Sequence, residues 1–390
     1  MSRRYGTAAL ACVLAGALGA LGVAACASDS ATSSFLGDAG PPPEGGTFAD
    51  SGTGPDDAGV AGSAIEANAI VLVHAAAFPA FRMCFEGALG DQPQPSLELM
   101  PGSNVVGVDV GTAVRLPARP ERLGRAFLFT EQRLRTFYPV VGVDGLTCQE
   151  LLTADGVKQS ALEVGVITED LSRGVHALVL GGCQPALADP IASVDRCGAD
   201  WTAANGNLKL TTLSLMAYAR AGDTSLSVQL LQLSPALARS AEGRALGLAF
   251  GSIDAGAPPP FVEGPVPFGE AVPNPPAILN YAAADVGSYA TTGFFVTLGG
   301  ALDDAGAPVS DAGPREVLVT QSLAEIQKRS SFRSLPTDWF AAASSYVMLS
   351  VGDTDPRLGD GGVDSDPRRA LHLLAIPLAT PDAGAPDASQ

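Results

Sequence analysis

Short apolar runs broken by Pro, Gly, Asn and Asp recur from about residue 65 to residue 378. Residues 69–75 (Ala-Ile-Val-Leu-Val-His-Ala) form a continuous β-rich run, a turn follows at Pro79, and residues 81–85 alternate Phe, Arg, Met, Cys, Phe. Residues 97–100 and 105–110 flank Pro101-Gly102-Ser103-Asn104, a strand-turn-strand pattern with turn residues where a hairpin connection needs them. Further strands are predicted at 126–129, 136–143, 162–167, 174–181, 208–219 and 226–233. The second half adds 245–250, 265–268, 277–281, 293–298, 315–320, 346–351 and 371–378. Helices are predicted at 147–153 and 322–330, where Thr147 with Glu150 and Ser322 with Glu325 have capping-box spacing, and a short one at 336–343. Many short runs with turn signals between them favour sandwiches over parallel βαβ units. The expected fold is therefore mainly β, with one or two Ig-like β-sandwich modules and a few short helices.

The N-terminus carries a different pattern. Arg3 and Arg4 precede residues 8–25, an uncharged run of Ala, Leu, Val, Gly and one Cys that has the form of a signal-peptide core. It ends in Leu21-Gly22-Val23-Ala24-Ala25-Cys26, which resembles a bacterial lipobox: small residues before a cysteine whose thiol accepts the acyl group. The resemblance implies lipidation at Cys26 and a membrane-anchored lipoprotein of the bacterial cell envelope, facing the periplasm or the cell surface. Residues 27–63 are dominated by Ser, Thr, Gly, Pro, Asp and Ala, with six acids and no base. Such a segment buries too little apolar surface to offset ordering and is expected to be a disordered tether with a reach of roughly 30 to 40 Å. The domain reading is a signal peptide at 1–25, the lipidated Cys and tether at 26–64, sandwich modules at 65–222 and 223–380, and a disordered tail at 381–390.

Charge and cysteine content narrow the function classes. The chain holds 23 basic and 41 acidic residues, and removal of the signal peptide takes two Arg and no acid. A nucleic-acid partner is excluded by that balance; an envelope protein or a glycan is the expected partner, besides the membrane reached through the lipid. Apart from Cys12 and Cys26, four cysteines remain: Cys84, Cys148, Cys183 and Cys197. An even number in an exported chain points to two disulfides, and proximity in sequence favours Cys183 with Cys197 and Cys84 with Cys148. The tripeptide Asp-Ala-Gly at 38, 57, 254, 304, 311 and 382 lies each time in a Pro/Gly-rich setting and marks loops.

Residues 70–75, leading through Pro79 into the alternating 81–85, together with Leu97-Glu98-Leu99-Met100-Pro101-Gly102, are similar to the start of the secreted DUF4397-type β-sandwich module. Val228-Gln229-Leu230-Leu231-Gln232-Leu233-Ser234-Pro235 is read as the possible opening of a second copy that lacks the His. The resemblance implies an exported Ig-like sandwich and brings no catalytic residues. The chain has no G-x-S-x-G, H-E-x-x-H or Walker A motif, and its three His (His74, His176, His372) each lie in an apolar β-like run, where a structural role is expected. The expectation is a non-enzymatic structural, adhesive or binding protein without a cofactor; a carbohydrate-binding module or an unrecognised envelope hydrolase is the alternative. Trp201, Tyr218, Tyr281, Tyr289, Trp339 and Tyr346 could form a sugar-stacking platform but are expected mostly in the core. Asp353, Asp355, Asp360, Asp364 and Asp366, interspersed with Gly, form a weak Ca²⁺ candidate, and an ordinary solvated loop is the preferred reading.

Overall fold

The computed structural model describes residues 65–86, 108–117, 122–138, 148–189, 191–219, 224–281, 288–305, 307, 309, 315–330, 339–354 and 368–379. The predicted strand at 97–100, the lipobox, the tether and the C-terminal tail lie outside them. The described chain is mainly β.

The first half contains β1 (Ala69–His74), β2 (Phe81–Glu86), β3 (Ala113–Pro117), β4 (Gly124–Thr130), β5 (Leu162–Ile167), β6 (Val175–Gly181) and β7 (Lys209–Leu215). They form an inner sheet in the order β3-β1-β6-β7 and an outer sheet β2-β4-β5. The second half contains β8 (Ser225–Gln232), β9 (Arg244–Ser252), β10 (Val262–Gly264), β11 (Ala271–Asn280), β12 (Thr292–Ala301), β13 (Glu316–Ser322), β14 (Ser345–Val351) and β15 (His372–Leu378). These give an inner sheet β11-β8-β14-β15 and an outer sheet β10-β9-β12-β13.

The two halves repeat one wiring. In each, the first strand pairs parallel with the penultimate strand (β1 with β6, β8 with β14), and the penultimate pairs antiparallel with the last. Registers match as well. His74 lies opposite Leu180 and Gln232 opposite Ser350, so His74 and Gln232 hold the same place. The amide of Gly111 donates to His74 O (3.0 Å) as that of Gly269 donates to Gln232 O (2.9 Å). Lys209 and His372 likewise correspond, opposite Gly181 and Val351.

The inner sheets pack on each other, so four sheets stack as layers with three cores between them. Ile70, Leu72, Phe81, Met83, Leu128 and Leu178 fill the first core. Val71, Val73, Val179, Leu231, Leu233, Val347, Leu349 and Ile376 fill the central one. Leu230, Phe294, Trp339, Phe340, Tyr346 and Met348 fill the third, where Phe340 stacks on Phe250 and on Tyr346 at 5.4 and 5.3 Å between centroids. This explains why β1 and β15 read as nearly continuous apolar runs, and why β8, which carries Ser and Gln, and β14, which carries Ser, are buried along their whole length: both faces of an inner strand are covered. Arg115 Nη1 of β3 donates to Pro377 O of β15 (3.1 Å), and Tyr218 Oη after β7 reaches Asn274 Oδ1 of β11 (3.4 Å). The inner sheets therefore stack with strand order reversed, the arrangement a local two-fold axis along the strands produces.

Helices cover the rims. α1 (Glu131–Phe137), α2 (Cys148–Thr153) and α3 (Val157–Ser160) place Leu134, Leu151 and Val157 on the outer face of β2 and β4, around Cys84, Phe127 and Phe129. The segment predicted as a strand at 136–143 thus begins inside α1, which Thr130 caps by accepting from Arg133 N (3.4 Å). α4 (Val194–Cys197) and α5 (Pro235–Ser240) meet beside the seam between the halves. α6 (Leu323–Ser330) has the expected reciprocal capping box, Glu325 N to Ser322 Oγ at 3.2 Å and Ser322 N to Glu325 Oε2 at 3.1 Å. α7 (Trp339–Ala342) follows. Residues 265–268, predicted as a strand, make only an isolated bridge from Phe268 to Gln232, since Pro265 and Pro267 offer no amide proton.

Candidate functional site

The seam between the inner sheets has two poles, one at each end of β6. Seven residues of strand put about 20 Å between them. At one pole Asn68, Gly174, Met216 and Ala379 lie around a cavity of about 560 Å³, so β1 enters the fold and β15 leaves it on the same side.

Among the described residues, the opposite pole carries four ion pairs that join the halves. Arg196 Nε is 3.1 Å from Asp353 Oδ2, Arg369 Nη2 is 2.8 Å from Asp189 Oδ2, Arg239 Nη1 is 2.6 Å from Asp195 Oδ1, and Arg368 Nη1 is 3.4 Å from Asp109 Oδ1. Asp189, Asp195 and Arg196 all belong to the loop closed by Cys183–Cys197, so this disulfide rigidifies the segment that holds the second half. A cavity of about 40 Å³, lined by Arg196, Asp353, Arg368 and Arg369, sits among these pairs and has room for a water molecule. The other disulfide, Cys84–Cys148, fastens α2 to β2. The two bonded pairs are those that proximity in sequence favours. On the chain-entropy model, closing loops of 14 and 64 residues is worth about 3 and about 4 kcal/mol.

Beside α4 and α5 the seam opens into a groove of about 760 Å³. Its floor is the exposed edge of the central core: Val179, Leu213 and Leu233, with Phe268 at its side and 51% exposed. Lys209 and Thr211 project into it from β7 beside Leu213, since alternate residues share a face of the strand. Asp195, Arg239, Asp200 and Glu242 form the rim. Arg239 is neutralised by Asp195, while Lys209, Asp200 and Glu242 have no ion pair among the described residues. A groove with an apolar floor and a few polar rim groups, of this size, has the form of a binding site.

The sequence-selected residues fall mainly elsewhere. His74 is fully buried against Phe81 (4.8 Å between centroids), with Nε2 3.3 Å from Pro79 O, and burial lowers its pKa to about 4. His372 lies between two carbonyls, Nδ1 2.6 Å from Ala370 O and Nε2 2.8 Å from Gly111 O; a neutral ring donates to one of them. Burial, and then the nearby Arg329 charge, lower its pKa to about 4. His176 spans Arg173 O (2.7 Å) and Ser214 Oγ (3.2 Å). Of the three, His176 stands beside a hydroxyl, that of the exposed Ser214, and neither residue lines the groove. Asp353 is engaged by Arg196, and Asp355, Asp360, Asp364 and Asp366 lie outside the described residues, as does Cys26. Trp339 and Tyr346 are core residues, Tyr281 and Tyr289 pack against that core, Trp201 Nε1 donates to Gln184 O (2.9 Å), and no stacking platform forms from them among the described residues. Phe268, the aromatic that does face a groove, was not singled out by sequence, where it follows Pro267 in an apparent strand. No family model, no curated protein and no solved structure matches the chain.

Proposed function

We propose that the protein is a lipid-anchored component of the bacterial cell envelope that displays a binding groove to a partner. One observation carries this reading: the described chain enters and leaves the fold at one pole, and the groove opens at the other. A tether running from Cys26 through residues 27–64 then joins the fold at the pole opposite the groove. Two disulfides suit the oxidising compartment that such an address implies. Two or more acyl chains suffice for stable anchoring where one is marginal, each buried methylene adding about 0.8 kcal/mol. The DUF4397-type resemblance of residues 70–85 agrees with an exported sandwich. Binding is favoured over catalysis because the groove's side chains offer contact and charge without a nucleophile and base in reach of each other.

The test replaces Cys26 with Ser and follows incorporation of labelled fatty acid and membrane fractionation. Loss of label and release from the membrane are expected; unchanged labelling and retention would sink the anchor.

A further inference from the structure

We infer that the groove receives a partner segment presenting a planar basic side chain, arginine above all, next to an apolar residue. This names the partner class for the binding pole and rests on that part of the proposed function, not on the lipid anchor.

The two sides of the local two-fold axis share strand order and the turn glycine but differ in edge strand and filling: β3 pairs regularly with β1, whereas β11 carries a register shift against β8 between Val272 and Ala277. On the β3/β15 side the chain closes the seam itself. The Arg368 guanidinium meets Asp109, and the His372 ring is 2.8 Å from Gly111 O. Val110 beneath them is only 8% exposed. On the β7/β11 side, strand register puts Lys209 in the place of His372, and the turn glycine Gly269 in the place of Gly111 puts Phe268 for Val110 and Pro267 for Asp109. Gly111 and Gly269 share the left-handed conformation, with φ of 67° and 80°. The turn is therefore conserved between halves while the plug is absent, and Phe268 stands half exposed where its counterpart is buried.

The molecule thus shows what fits such a seam: a guanidinium and an imidazole, planar donors beside aliphatic carbons. Electrostatics select the same chemistry. Of the groove charges outside the Arg239–Asp195 pair, Asp200 and Glu242 outnumber Lys209, which is exposed, and the whole chain has 41 acids to 23 bases. The lining thus holds three acids to two bases, and Asp200 and Glu242, the two carboxylates without an ion pair among the described residues, offer acceptors to a cationic partner. Arginine adds to this a flat face that lies on Phe268 and a fork that matches a carboxylate.

The probe is a fluorescein-labelled peptide of the chain's own closing segment, residues 368–373 (Arg-Arg-Ala-Leu-His-Leu), titrated into the full chain by fluorescence anisotropy. Saturable one-to-one binding is expected. It should weaken at least tenfold in Phe268→Glu and in the double variant Asp200→Lys, Glu242→Lys, each with an unchanged thermal midpoint, and should vanish for the peptide carrying Glu at both Arg positions. A lack of saturable binding, equal binding by the Glu peptide, or equal binding by both groove variants would overturn the inference. So would chitin oligomers occupying the groove, in a manner lost in Phe268→Glu, while the peptide does not bind. If Cys26→Ser abolishes labelling while no peptide binds, the anchor stands and the partner class fails; the reverse result removes the anchor and keeps the partner class.

Discussion

His74 and Gln232 show how one position is solved twice. Both are fully buried at the end of an inner strand, and both reach a nearby carbonyl, Pro79 O for the imidazole and Ser234 O for the amide (2.6 Å). The imidazole adds a liability, because a protonated ring cannot be accommodated without water. Its pKa falls from the ordinary 6.5 to about 4, so between those values the unfolded chain binds a proton that the folded chain refuses. The stability His74 supports is complete above pH 6.5 and is lost as pH falls toward 4, by about 3 kcal/mol, and His372 adds a similar loss over the same window. Urea midpoints measured from pH 7 to pH 4 should fall steeply. His74→Gln, which installs the residue of the corresponding position, should flatten roughly half of that slope; an unchanged slope would show that His74 is protonated within the fold. The apolar run around His74 made its structural role legible in sequence. Its pairing with Gln232 was not, since only strand register aligns the two.

At the scale of elements, the turns before β3 and β11 can be compared directly. Gly111 and Gly269 both require a positive φ, which costs other residues about 1 to 2 kcal/mol. A Cβ on Gly111 would also fall 2.4 Å from the His372 ring and 2.6 Å from Arg368 O, whereas one on Gly269 meets nothing within 4 Å. Gly269→Ala should therefore cost about 1 kcal/mol, and Gly111→Ala several-fold more, in denaturant unfolding; equal losses would contradict the closed-versus-open description of the seam. Strand and helix positions were largely readable: β5 (Leu162–Ile167) coincides with the expected run, and Ser322 with Glu325 start α6. α1 was misread because β-branched and aromatic residues near its C-terminal end favour a strand locally, while the Thr130 cap and burial of Leu134 decide for helix. The groove was illegible because its wall comes from β6, α4, β7, α5 and residue 268, segments joined only by the stacking of the sheets.

For the whole molecule, the apolar runs marked the strands in sequence but not which of them are buried on both faces, nor which layer covers them. The answer is the other half of the chain, and this changes what the halves can do alone. Residues 65–222 without their partner would expose the central-core face of the inner sheet, including Val71, Val73, Val175 and Val179. A patch of that kind promotes association. Expressed alone, residues 65–222 should self-associate or precipitate, and co-expression with residues 223–390 should give a soluble one-to-one complex in size-exclusion chromatography. A monomeric, stable isolated half would show that the seam is dispensable.

The local two-fold axis has a further consequence. Two identical subunits meeting across such an axis form an isologous homodimer, in which every substitution appears twice: whatever seals one edge seals the other, and whatever opens one opens both. A homodimer also dissolves on dilution, its stability tied to protomer concentration. Joining the two copies in one polypeptide removes both constraints. The assembly persists at any concentration, and its two edges diverge independently, so Arg368 and His372 cover one edge while the other stays open beside Phe268.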